Sequence, residues 1–195
     1  SLVTRKIADH FGASGALDGF AGVDGVVALT HKSGCSVSDG SISMDMLRRT
    51  LGGYVRHPNF AGVLIVGLGC EDNKIETMLD EQQLVHGPML RTLSIQETGG
   101  TSASIAAGIN EVAEMIEIAA KSERSPVPAS ELVVGLQCGG SDGLSGLTAN
   151  PALGAAVDRL VACGGTAILS ETPEIHGAEN LLLERAVRRA VGERL

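Results

Sequence analysis

Five short apolar runs alternate with helical stretches along this chain, and that alternation constrains the fold more than any other feature. The runs are residues 25–30 (GVVALT), 62–67 (GVLIVG), 92–96 (TLSIQ), 132–137 (LVVGLQ) and 166–170 (TAILS). Each has the length and the apolar content of a buried strand. Helical patterns occupy residues 43–56, 71–83 and 102–122 between them. In the last of these, Ile105, Ile109, Val112, Ile116 and Ala120 share a face, and Pro126 and Pro128 lie beyond its end. A further helix opens at Asn150-Pro151 and closes at Gly164-Gly165, with Leu153, Val157, Leu160 and Val161 expected to face inward.

Strand followed by helix, repeated, implies right-handed crossovers and parallel strands. The expected architecture is a single α/β domain over residues 1–195: an open, doubly wound, mostly parallel five-stranded sheet with helices on both faces, Rossmann-like. Composition agrees. With one Tyr, three Phe and no Trp among 195 residues, the core must come from aliphatic side chains and glycine. The formal charge of -8 excludes a nucleic-acid partner. No transmembrane run or targeting motif is visible, so no membrane partner is expected. Four cysteines at wide spacing suit free thiols in a reducing, cytoplasmic compartment better than a disulfide framework. The first residue is not Met and the last ones read as helix, so the chain is expected to be a domain excised from a longer protein.

In sheets of this kind ligands bind beyond the carboxyl ends of the strands. Those ends read HKSGC (31–35), GLGCE (67–71), ETGGT (97–101), CGGSD (138–142) and SETPE (170–174). Cys35, Cys70 and Cys138 thus fall at equivalent places beside glycines. In the common strand order 3-2-1-4-5 they lie on three adjacent strands, roughly 4.8 Å apart, with Glu97 and Glu171 flanking. Thiolates there suit zinc, ferrous iron or an iron–sulfur cluster, and the lack of a C-x-x-C pair argues against a structural zinc site. Cys163 reads as packing within a helix.

Gly99, Gly100 and Thr101, and Gly139, Gly140 and Ser141, offer backbone N–H groups to a carboxylate or phosphate. His31 is a candidate ligand or base, and His176 a candidate acid or base. Arg48 and Arg49 read as exposed, with one of them able to meet an acidic partner. Two functions fit these residues: a metal-assisted enzyme, or a Rossmann-like module that binds an anion or nucleotide without chemistry of its own.

The segments GLQCGGSDGLSGLTANPALGAAVD (135–158), GGTAILSETPEIHGAE (164–179), HPNFAGVLIVGLGCE (57–71) and IQETGGT (95–101) resemble the central region of the altronate/galactarate dehydratase family. That family also includes sulfolactate sulfo-lyases. The resemblance runs over almost the whole chain. It implies a hydro-lyase that removes water from a sugar acid and depends on ferrous iron, mononuclear or in a cluster. It also implies N-terminal and C-terminal domains of the same protein as partners, and leaves room for a homo-oligomer. The family's strand-end motifs fall on His31, Cys35, Cys70, Glu71, Glu97, Cys138, Asp142 and Glu171. These positions are site candidates without a settled role for each; the hypothesis they serve is iron held by Cys35, Cys70 and Cys138, with catalytic candidates His31, His176, Glu97, Asp142 and Glu171. Two departures bear on the substrate: Ser36 stands where the pattern has glycine, and His176 where an aromatic is common.

Overall fold

The computed structural model describes residues 2–13, 15–33, 37–140 and 142–195. The chain divides into two compact units, Ser1–Arg124 and Ser125–Leu195.

The first unit opens with α1 (Leu2–Gly12), a helix that the periodicity reading passes over. Val3, Ile7 and Phe11 recur every four residues and form its buried face. They pack against Val112 and Ile116, from the expected apolar face of α4 (Thr101–Ala119), and against Met115 beside them. Gly108 of α4 lets the two helices approach: a Cβ there would lie 2.3 Å from Cδ1 of Ile7. Between them in the chain come α2 (Ile42–Val55), β1 (Val63–Gly67), α3 (Ile75–Glu81) and β2 (Leu90–Ser94). β1 and β2 pair in parallel, with Val63 opposite Leu90 and Gly67 opposite Ser94. Leu64 and Val66 of β1 pack onto the α1–α4 core. A second buried group, Met44, Met78 and Leu79, lies on α2 and α3.

The second unit contains β3 (Val133–Leu136), α5 (Ala149–Ala162), β4 (Thr166–Leu169) and two short helices, α6 (Glu179–Leu183) and α7 (Arg189–Gly192). β3 and β4 are parallel, with Leu136 opposite Leu169. Among the described residues of this unit no apolar side chain is buried. Leu153 and Val161 of α5, expected to face inward, are exposed, and so are Val133 and Val134 of β3. Thr148, not Asn150, stands at the N-terminal cap of α5. Cys163 is exposed at its C-terminal cap rather than packed within it.

The five-stranded, doubly wound sheet is therefore not formed. The described residues make two separate two-stranded parallel sheets, β1–β2 and β3–β4. Four of the five apolar runs are strands; residues 25–30 are not. That segment follows a series of tight turns from Ala13 to Val23 and contributes Val26 to the α1–α4 core, while Val27 and Leu29 are exposed. Apolar content marks the run, but a strand also needs a neighbour for its backbone N–H and C=O groups. In the order 3-2-1-4-5 this run would have stood in the middle. With it unpaired, the remaining neighbours are left as two pairs. A Rossmann-like module loses its basis with that sheet. No helix among the described residues is long and apolar enough to cross a membrane.

Candidate functional site

Each β-strand runs into a turn that carries polar groups. After β1, the Glu71 carboxylate folds back onto the chain: Oε1 accepts from the Leu68 N–H at 2.7 Å and Oε2 from the Gly69 N–H at 2.6 Å. Glu71 thus closes the turn with both oxygens, and α3 starts at Ile75 rather than at residue 71. Gly69 has φ +111°, and a Cβ on it would sit 2.9 Å from Oε1 of Gln96, so glycine is required there. Cys70 is exposed, and Nε2 of Gln96 donates to its Sγ at 3.2 Å.

After β2, Gly99 and Gly100 both take positive φ and Thr101 begins α4. These glycines are set by backbone conformation. Glu97 is exposed on the same turn. Thr98 donates from both its N–H and its hydroxyl to the Ser94 carbonyl, closing this loop too.

In the second unit the ends of β3 and β4 lie side by side. The Cys138 N–H donates to Oε2 of Glu171 at 3.0 Å. Glu171 is in the left-handed region, φ 61° and ψ 55°, a conformation that costs a residue with a Cβ roughly 1–2 kcal/mol. The next residues, Thr172–Ile175, form one 3-10 turn with Pro173 in its first turn. Residues three apart eclipse on such a turn, which returns Glu174 toward Glu171. The Cys138 thiol and one carboxylate oxygen each from Glu171 and Glu174 lie within 4.8 Å of one another, all exposed. The sequence carries the signal for Glu174, a Glu-Thr-Pro-Glu run after a strand, but the choice of Glu171 alone leaves it out.

Gly139 and Gly140 differ from Gly69, Gly99 and Gly100. Neither has a positive φ, and a Cβ on either would meet nothing within 4 Å. Asp142 is engaged locally: its Oδ1 accepts from the N–H groups of Leu144 at 2.7 Å and Ser145 at 2.8 Å. His176 has a side chain 95% exposed, with Nδ1 3.5 Å from Oε1 of Glu179. The Glu179 carboxyl is held below its ordinary range by its own backbone N–H and then by that of Gly177. His31 is exposed in an irregular segment. Cys35 and Ser141 lie outside the described residues. Among the described residues, Cys70 follows a strand of the first sheet and Cys138 a strand of the second.

Arg48 is the polar residue that sequence reasoning misplaces. It is 1% exposed rather than solvated. Its position on the Met44–Arg48–Gly52 face of α2, every fourth residue, is the signal that was available.

Residues 1–120 match the family model described as "D-galactarate dehydratase/Altronate hydrolase, second domain", and residues 129–195 the one described as "D-galactarate/Altronate dehydratase, C-terminal". The chain is 41% identical over 169 residues to altronate dehydratase of Bacillus subtilis, covering 86% of this chain and 33% of that protein. It is 42% identical over 153 residues to galactarate dehydratase (L-threo-forming) of Escherichia coli, covering 75% and 29%. To the (2R)-sulfolactate sulfo-lyase subunit beta of Chromohalobacter salexigens it is 32% identical over 174 residues, covering 88% and 43%. The chain spans about a third of the length of the dehydratases it matches. With both units matched in order, the chain belongs to the galactarate/altronate dehydratase family.

Proposed function

We propose that this chain is the central part of a sugar-acid dehydratase, eliminating water from an aldonate or aldarate such as altronate or galactarate with the help of ferrous iron. The observation that carries the reading is the convergence of Cys138, Glu171 and Glu174 in a member of this family. One thiolate and two carboxylates make a donor set that suits a single ferrous ion; an iron–sulfur cluster would take thiolates. A bound ferrous ion supplies Lewis acidity toward the substrate's carboxylate and departing hydroxyl.

The chain's own residues have distinct tasks in this scheme. The Cys138 N–H fixes one oxygen of Glu171 and leaves the other for a ligand. Gly139 and Gly140, which the fold itself does not require to be glycine, leave room for backbone N–H groups to approach the substrate carboxylate. His176, in the same unit as these residues, is the candidate to take the C2 proton there. The C2–H electron pair then forms the C2–C3 double bond, the C3–O bond breaks, and the hydroxyl leaves with a proton as water. The enol so formed tautomerises to a 2-oxo-3-deoxy acid. Exposed thiols suit the reducing cytoplasm, and other regions of the same polypeptide complete the enzyme.

The test uses the full-length protein purified without oxygen, assayed for carbonyl formation from altronate and galactarate. Cys138→Ser should lower bound iron and turnover together by at least roughly tenfold, the scale of a lost ligand group. Cys35→Ser and Cys70→Ser report whether the other strand-end thiols hold iron as well. Retention of iron and turnover in Cys138→Ser rejects the centre; failure to act on any aldonate or aldarate rejects the reaction.

A further inference from the structure

Arg48 is placed to do more than hold a helix. Its guanidinium, 2% exposed at the side chain, reaches three separate segments. Nε donates to Oδ1 of Asn73 at 3.0 Å, in the loop that follows Cys70. Nη1 donates to Oε1 of Glu81 at 2.7 Å, the last residue of α3. Nη2 lies 2.9 Å from Oδ1 of Asp39, in the loop before α2, and is otherwise unpartnered among the described residues. That last contact is Coulombic, since Nη2 is not aligned as a donor to Asp39.

The carboxylates of Asp39 and Glu81 are 64% and 44% exposed, so water screens them; the guanidinium has no such relief. A buried cation with one contact weakened holds its remaining partners differently, because its charge has no solvent to turn to. Asp39 stands four residues after Cys35, and Asn73 three after Cys70. We propose that Arg48 is a positioning residue that couples the loop at 37–41 to the Cys70 turn at 68–74, so that a change in one is felt in the other. The coupling stands on the geometry of unit one; its bearing on dehydration rests on the reading above.

Asp39→Asn is the informative perturbation. Asparagine keeps the side-chain oxygen that accepts from the Gly40 N–H at 3.1 Å and removes only the charge. Amide exchange is followed by mass spectrometry in the full-length protein, without metal or substrate. Three regions are compared: 37–41, 68–74 and α4. The amides to watch are Leu68 and Gly69, both bonded to Glu71, and Lys74, bonded to the Asp72 carbonyl. Asp39→Asn should speed exchange at 68–74 about threefold or more, although residue 39 does not belong to that turn. Arg48→Lys keeps charge but loses the fork, and should speed exchange at both loops about tenfold, the factor that losing one charge-assisted hydrogen bond gives. Exchange in α4 should stay at the wild-type rate in Asp39→Asn.

Unchanged exchange at 68–74 in Asp39→Asn overturns the coupling. So does an equal rise in α4, which marks a general loss of stability. Should Arg48→Lys fail to fold, the exposed Asp39 variant still decides. Because no turnover is measured, a failed coupling leaves the dehydratase reading untouched, and an inactive enzyme leaves the coupling untouched.

Discussion

Replacing Gly108 with alanine tests how closely α1 lies on α4. At an open helix position this change stabilises by about 1 kcal/mol, because alanine restricts the unfolded chain and suits the helix. Here the new Cβ would stand 2.3 Å from Cδ1 and 3.1 Å from Cγ1 of Ile7, and 3.5 Å from Cδ2 of Leu64. Ile7 is 3% exposed, so its Cδ1 has little free space to turn into. Overpacking of this kind costs about 1–3 kcal/mol, which leaves Gly108→Ala destabilised by about 1 kcal/mol after the helical gain. Ile7→Val removes Cδ1 and alone costs about 0.5–1.5 kcal/mol. In the double variant the clash with Cδ1 is gone and the helical gain stays. The pair should therefore be at least about 1 kcal/mol more stable than the two single costs summed. Urea unfolding followed by far-ultraviolet circular dichroism gives the three values, and exchange of α4 amides confines the reading to the first unit. Stabilisation by Gly108→Ala alone, or costs that add within about 0.5 kcal/mol, would refute close helix contact at this position.

Glu171→Gly should be more stable than Glu171→Ala by about 1 kcal/mol, since alanine keeps the left-handed strain and glycine does not. Both should lose iron, which separates strain from ligation when thermal melting and iron content are measured on the same samples. The Glu179 carboxyl has its folded pKa below the ordinary 4.5, so whatever it contributes to the turn at Gly177 is present above that value and is lost as pH falls through the depressed one. The Gly177 amide resonance should report that titration with a midpoint under 4.5, and Glu179→Gln should abolish it. Ser41 caps α2 by accepting from the Met44 N–H at 3.2 Å, and Ser41→Ala should cost about 1 kcal/mol in thermal unfolding.

Local structure was largely legible in the sequence, and long-range pairing was not. The face Val112–Ile116 of α4, the approximate bounds of α2 and α5, and four of the strands follow from periodicity and turn residues, which act over a few residues. Val3, Ile7 and Phe11 keep the four-residue spacing of α1, but that helix precedes the first apolar run and so lies outside the strand–helix alternation. The pair Arg48-Arg49 reads as exposed from the sequence, with one of the two able to face an acidic partner. The burial of Arg48 depends on Asp39, Asn73 and Glu81, which lie 9, 25 and 33 residues away in the chain, and single-sequence spacing says nothing about which of them meet. The same limit applies to residues 25–30, whose apolar content is that of a strand but whose backbone has no strand beside it among the described residues.

The meeting of polar groups at the strand ends survives the loss of the large sheet because it depends on register between neighbours and not on the number of strands. Leu136 stands opposite Leu169, and the Ser170 N–H continues the ladder to the Leu136 carbonyl at 3.1 Å. Two residues further along each chain come Cys138 and Glu171, and neighbouring parallel strands are roughly 4.8 Å apart. Beyond the last paired residues the Cys138 N–H turns to the Glu171 carboxylate, which the register has brought alongside. The other pair repeats the pattern: Gly67 stands opposite Ser94, and beyond them Cys70 meets Gln96. The two pairs differ in what their carboxylates do. Glu71 gives both oxygens to its own turn, whereas Glu171 gives one to Cys138 and Glu174 stands beside it. Of the two strand ends, the second therefore has the carboxylate oxygen to spare for a metal or a substrate, and that asymmetry is the physical reason to look for the reaction there first.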